Sequence, residues 1–236
     1  MNSLKSSIVY INGIDTVEKD IRPKSRAAVP SPEQDIETIE IKGRHGSLTK
    51  KHGFRDIVYQ LEFYINDNVS FKRAFRKAKV FLFQARTLGF SDDIEVFYRV
   101  KSIQIQTAEN IIEKYGMFTV NFALAPFQFE NNSIQTITDR TVIDNDGYQS
   151  EPYIKAYVSG TGKIIINDQE VTIQNVSEYI EIDSELMNAY RLDNNFIVNM
   201  NNHMIGDFPV LKHGDNIIEF SGDITALEID TRFKWV

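Results

Sequence analysis

The stretch FRDIVYQLEFYINDNVSFKRAFRKAKVFLFQA, residues 54–85, changes its hydrophobic period half-way and so decides the fold. Ile57, Tyr59, Leu61, Phe63 and Ile65 alternate with Val58, Gln60, Glu62 and Tyr64. A period of two sustained this long is that of a strand with one buried face. From Ser70 the period lengthens, and Phe71, Ala74, Phe75, Ala78, Phe81, Leu82 and Ala85 fall within an arc of roughly 120° at helical pitch. The spacing predicts a helix over 70–88, with Ser70 as N-cap and Gly89 as its stop. Strand and amphipathic helix together predict one long helix packed on a sheet. The other side of that helix holds Lys72, Arg73, Arg76, Lys77 and Lys79 without an acid, interrupted by Val80 and Phe83. Such a face is either simply solvated or a second contact surface covered by a neighbouring subunit.

Upstream, SSIVYINGID reads as a short strand closing on the tight-turn pair Asn12-Gly13. From Asp15 to Asp35 no period holds, and Pro23, Pro30 and Pro32 fall among Lys19, Arg22, Lys24 and Arg26. This is a surface loop, or an arm that orders against another subunit. Ile39 and Ile41 open a strand that runs into GRHGSLTKKHG, residues 43–53, which holds Arg44, His45, Lys50 and Lys51. With the strand at 57–65 it predicts a hairpin with a long basic tip. Downstream, Ile94, Val96, Tyr98 and Val100 alternate, then shift phase to Ile103 and Ile105, which predicts a bulge or a break near Lys101-Ser102. Phe118, Val120, Phe122 and Leu124 alternate until Pro126 interrupts them.

Residues 130–151 are polar, and Pro152 follows; the domain boundary is placed here, giving 1–148 and 149–236. Beyond it, strands are expected at 153–158, 163–166, 171–173, 178–183, 217–220 and 226–233, punctuated by Gly160, Gly162, Gly206, Gly214 and Gly222. That spacing predicts a sandwich or jelly-roll domain. The fold class is therefore mainly β, with an α+β N-terminal domain and a β-sandwich after it.

Composition is ordinary for a globular chain, with 42% hydrophobic and 25% charged residues among 236. A net charge of −7 argues against broad nucleic-acid binding. The charge is uneven: residues 1–148 carry 20 basic and 19 acidic side chains, residues 149–236 carry 6 and 14. No apolar run approaches a membrane span, and no secretory leader is expected. The absence of cysteine removes disulfides, thiolate metal sites and thiol nucleophiles. His45, His52, His203 and His213 make no HExxH pattern. Asp144-Asn145-Asp146-Gly147 resembles a calcium loop, but Val142 and Tyr153 stand where carboxylates are needed, so it reads as a turn. No nucleophile elbow or phosphate loop occurs, and Gly160-Thr161-Gly162 lacks a third glycine. Asn68-Val69-Ser70 and Asn175-Val176-Ser177 match the glycosylation pattern, which means little without a secretory route. No catalytic residue, cofactor or metal is expected; paired carboxylates are plentiful, yet none stands out as a glycosidase pair.

The order of these features resembles the distal tail protein family of siphophages over nearly the whole chain. The matching pieces are the GRHGSL turn, the FRDIVYQLEFYI strand before FKRAFRKAKVFLFQA, the KYGMFTVNFALAPFQFE strand, and the closing PVLKHGDNIIEFSGDITALEIDTRFKWV. The resemblance implies an N-terminal domain closing into a hexameric ring around the tail channel, with a galectin-like β-sandwich at its periphery. It implies the tail tube protein, a tail-associated protein or fibre, and receptor-binding or baseplate proteins as partners, with DNA only passing through and no membrane. The location implied is the virion tail tip. The expected subunit-interface residues are Arg44, His45, Lys50, Lys51, Val80 and Phe83. Sugar binding by galectins uses a His/Asn/Arg set and a stacking Trp; His203 lacks those companions and Trp235 stands second from last, so no lectin activity is expected. Alternatives are a carbohydrate-binding module for the host wall, a wall-degrading hydrolase, and a tail tube subunit.

Overall fold

A computed structural model describes residues 8–25, 28–66, 70–131, 134–194 and 196–236. The chain is mainly β and divides into two compact units between Asn131 and Asn132.

The first unit runs β1 (Val9–Ile11), β2 (Ile14–Asp15), β3 (Ile21–Pro23), β4 (Gln34–Glu40), β5 (Ser47–Phe54), β6 (Ile57–Asn66), α1 (Phe71–Leu82), β7 (Thr87–Phe90), β8 (Asp93–Ile105), β9 (Glu109–Ile112) and β10 (Tyr115–Glu130). Its sheet has the order β2-β1-β7-β8-β10-β6-β3, with β9 also paired to β10. Every alternate residue of β6 from Ile57 to Ile65 is buried, as the period predicts. Phe63 faces Phe118 across the β6–β10 ladder with rings stacked at 5.7 Å. Phe75 of α1 meets Phe118 at 5.0 Å and stacks on Phe71 at 5.6 Å. Gly116 lets the helix come this close, since a Cβ there would lie 2.6 Å from the Phe71 ring. Burial of Phe71 and Leu82 alone contributes about 3–6 kcal/mol, gross, to docking the helix.

Four expectations change. The helix ends at Leu82, not at residue 88, and Gly89 lies inside β7. The cause is Asn12: its side-chain carbonyl accepts from the Arg86 and Thr87 N–H groups and its amide donates to the Gln84 carbonyl, drawing the chain into the sheet. The segment 15–35 is only partly irregular, because Thr16–Lys19 form a 3-10 turn and Ile21, fully buried, pairs with Ile65. The basic tip is itself a strand: β5 pairs with β4 rather than extending a turn toward β6. β10 continues through Pro126, where the register jumps between Leu124 and Gln128. The bulge accommodates a residue with no N–H to donate.

The second unit runs β11 (Gln135–Ile137), β12 (Thr141–Asn145), β13 (Tyr153–Ile166), β14 (Gln169–Val176), β15 (Tyr179–Asp183), β16 (Asn188–Asp193), β17 (Phe196–Asn199), β18 (Met204–Ile205) and β19 (Gly214–Asp230). β11 and β12 both pair with β19, so residues 132–148 belong here and the boundary expected at 148/149 moves upstream. β13 and β19 are single long strands where two short pairs were expected. Residues 153–157 of β13 pair with β15 and the end of β19, while 162–166 pair with β14 and the start of β19. Each strand thus serves both layers of a sandwich, closed over Ile154, Ile164, Ile173, Ile182, Leu227 and their neighbours. The shared bend falls where Gly162 opposes Gly222. Gly222 has φ +76°, and a Cβ would lie 2.5 Å from the Thr161 carbonyl oxygen.

Gly222→Val should therefore lose about 2–4 kcal/mol of stability in urea unfolding. Gly214→Ala, at φ +86° but with open space around it, should lose about 1 kcal/mol. Equal losses would show that the bend does not depend on close approach.

Candidate assembly surfaces

Several polar side chains of the second unit are buried or partly buried. Arg232 is the largest such group: its guanidinium forks onto both oxygens of Asp183 at 2.8 and 2.9 Å and reaches Glu185 at 3.3 Å. Burial pushes the Asp183 carboxyl up, but hydrogen bonds from Arg232 and the Leu186 N–H, with the Arg232 charge, outweigh it and hold it below the usual carboxylate range. On the neighbouring strands Glu181, 5% exposed, lies close enough to Tyr153 and Tyr190 to oppose ionisation of both phenols. Burial first, and this carboxylate second, raise the Tyr153 phenol. The Tyr157 hydroxyl donates to Glu228 and the Tyr179 hydroxyl to the Leu192 carbonyl. These groups satisfy one another and leave no activated acid or nucleophile.

Two histidines and a buried asparagine of the second unit are equally occupied. His203 and His213 meet the backbone carbonyls of Gln174 and Gly147. Asn145 is fully buried; its side-chain oxygen accepts from the Gly147 N–H and its amide donates to the Tyr148 and Lys212 carbonyls. That segment is a turn held from within. Among the described residues no group of three or more His, Asp or Glu side chains could hold a metal ion, and no helix is long and apolar enough to cross a membrane. Asn68 and Val69 of the first glycosylation match lie outside the described residues.

The surfaces are more informative. Arg44 and His45 lie in the turn between β4 and β5, and Lys50 and Lys51 on β5. No residue from Ile36 to Gly53 is buried. The ribbon's base is held by an edge-on contact of Phe54 with Phe127, by the Arg55 N–H on the Glu33 carbonyl and by the Arg55–Asp35 ion pair. Glu37 takes His52 at 3.1 Å and Lys50 at 3.8 Å. Val80 and Phe83 stand on α1 and its C-cap, 64% and 62% exposed. They share a stripe with Arg73, Arg76 and Lys77, none of which has an ion pair among the described residues. The six expected interface residues thus form two separate surfaces, one ribbon and one helix stripe.

One surface was misread from sequence. Ile94, counted with the core alternation of β8, is 67% exposed. It borders a cavity of about 370 Å³ lined by Tyr10, Phe90, Val96 and Phe97. Asp92 and Asp93 line an adjoining groove of about 210 Å³ that shares Phe90 with it, and Glu95 follows Ile94 in the chain; all three acids are exposed. Burial first, with Asp92 adding, pushes Tyr59 up to about 12; burial, Tyr59 and Asp93 push Tyr98 up to about 12. The run DDIE was the available signal, since three acids around one isoleucine do not make a core strand.

No protein-family model matches this sequence, and no curated protein matches it. Solved structures do match. The SPP1 Dit protein, described as a paradigm of the hub adsorption apparatus in phages infecting Gram-positive bacteria, aligns with a TM-score of 0.66 at 14% identity, covering 98% of this chain and 100% of that one. A chain of the phage p2 baseplate in its activated conformation with Sr aligns at 0.58 and 9% identity, over 95% and 96% of the two chains. The same baseplate with Ca gives 0.57 and 10%, over 98% of each. The chain shares the fold of these phage proteins over nearly its whole length.

The Arg232–Asp183 pair sets a stability test. A lowered carboxylate contributes stability above its unfolded value, about 3.9, and loses it as pH falls through the folded one. Asp183→Asn should cost about 2 kcal/mol at pH 7, by removing the charged fork from a half-buried guanidinium and leaving it Glu185 and Asp230. The gap to wild type in denaturant unfolding should shrink below about pH 4. A gap that stays constant with pH would assign the loss to packing.

Proposed function

We propose that this chain is a distal tail protein of a siphophage, a non-enzymatic component of the tail tip. Its copies close into a ring, a hexamer by the resemblance, that joins the tail tube to the baseplate or tail fibre and leaves a channel for DNA. The observation that carries this reading is the fold shared with SPP1 Dit over nearly all of both chains. A domain that matched only its sandwich would fit a wall-binding module as well. The tail tube protein, a tail-associated protein or fibre, and receptor-binding or baseplate proteins are the partners that go with this reading.

The surfaces of the first unit support assembly. A two-stranded ribbon is at best marginally stable alone in water, and this one buries nothing between Ile36 and Gly53. On α1, Arg73 and Lys77 are one turn apart, as are Lys72 and Arg76, and like charges at that spacing destabilise a helix. Two large apolar side chains among them fit a contact surface better than a solvated one. The carbohydrate-binding alternative gains nothing from the sandwich, where the Tyr157 and Tyr179 hydroxyls are engaged internally.

Val80→Ser with Phe83→Ser tests the reading. Both side chains are exposed, so the subunit's own stability should change by no more than about 1 kcal/mol. Assembly, followed by light scattering against concentration, should weaken at least about tenfold, as loss of apolar anchors does. Images of the wild-type protein should show a ring with a central hole. A wild-type chain that remains a single subunit at all concentrations would refute the proposal.

A further inference from the structure

We infer that the tip of the β4–β5 ribbon of one copy docks into the groove beside Ile94 on the next copy of this chain. The inference rests on the ring reading and names the acceptor within it.

The ribbon supplies the donor. Its turn carries Lys42 and Arg44, and Lys51 follows on β5; none of the three has an ion pair among the described residues. Ile41 and Leu48 flank that turn, both partly exposed. The tip is therefore apolar at its shoulders and basic at its end. β4 extends for seven residues, which is roughly 23 Å of reach. A unit of this size has a radius of gyration of roughly 14 Å, so the ribbon is long enough to cross to a neighbour.

Three grooves of the first unit could receive it, and charge and size choose among them. One, of about 400 Å³, lies between α1 and the segment 105–110 and is lipped by Lys72 and Lys79. A basic tip is repelled there, and equally by the α1 stripe of Arg73, Arg76 and Lys77. A second, of about 370 Å³, has an apolar floor of Tyr10, Phe90, Val96 and Phe97. The third, of only about 210 Å³, adjoins it through Phe90 and is lined by Asp93, which with Glu95 is exposed and has no ion pair among the described residues, so the larger groove carries an acidic flank. Ile41 and Leu48 supply what the floor lacks, and Lys42 and Arg44 what the acidic flank lacks. Donor and acceptor are different surfaces of the same unit, which is the heterologous contact that closes a ring. Opposite charges facing each other also exclude wrong registers.

The chain has no cysteine, so engineered thiols report unambiguously. Arg44→Cys mixed with Glu95→Cys, both in the full chain, should give a disulfide-linked dimer on a non-reducing gel after mild oxidation. Arg44→Cys mixed with Val80→Cys should not. In a second arm, Lys42→Glu with Arg44→Glu, and separately Asp93→Lys with Glu95→Lys, should each raise the concentration of half-assembly at least tenfold. All four together should restore it to within about threefold. Rings that form without the Arg44–Glu95 crosslink, or with a crosslink to residue 80 instead, overturn this inference and leave the ring reading standing. A wild-type chain that stays monomeric overturns both.

Discussion

The contact on which the first unit depends is the aromatic seam of Phe63, Phe118, Phe75 and Phe71, which fastens α1 to the β6–β10 ladder. Once those rings are stacked, the rotation of the helix about its own axis is no longer free. Phe71, Ala74, Ala78 and Leu82 point inward, and at helical pitch Arg73, Arg76, Lys77 and Val80 must then point outward. The basic stripe is thus a consequence of core packing rather than a separate feature. Gly116 is part of the same device, since any larger residue would lift Phe71 off the sheet.

The second unit solves a different problem, that of holding two layers in register without a helix. It does so by running β13 and β19 through both layers, so the bend at Gly162 and Gly222 sets how the layers face each other. The polar groups that remain on the sheet are tied in pairs: Arg232 to Asp183, Tyr157 to Glu228, Lys155 over the Tyr179 ring at 4.3 Å. A surface whose hydrogen-bonding groups are already engaged offers little to a polar ligand, because each new contact must first break an old one. Fold alone therefore does not make this unit a lectin.

Much of this was legible in the sequence because it depends on local periodicity. The β6 alternation, the turn at Asn12-Gly13, the core stripe of α1 and the phase shift in β8 follow from neighbours along the chain. What was not legible depends on partners far away in sequence. The helix ends early because Asn12 captures Gln84, Arg86 and Thr87 across more than 70 positions. β10 passes Pro126 because a bulge opposite β8 absorbs it. Residues 135–145 looked like linker because they are largely polar, yet their backbone pairs with β19, 69 or more residues on. Of the candidate surfaces, the ribbon and the helix stripe showed as charge without compensation. The groove beside Ile94 did not, because its floor comes from β1, β7 and β8 together.

Like-charge repulsion also limits how copies of this chain can meet. A two-fold dimer through α1 would set Arg73, Arg76 and Lys77 against their own images, and one through the ribbon tips would do the same with Lys42, Arg44 and Lys51. Like charges brought face to face in an interface cost several kcal/mol. The acidic flank of Ile94, with Asp93 and Glu95, repels its own copy for the same reason. These three charged patches of the first unit are thus self-incompatible, while the tip and the flank of the groove carry opposite signs. Surfaces that reject themselves and accept one another propagate head to tail, and such a series must close on itself or grow without end.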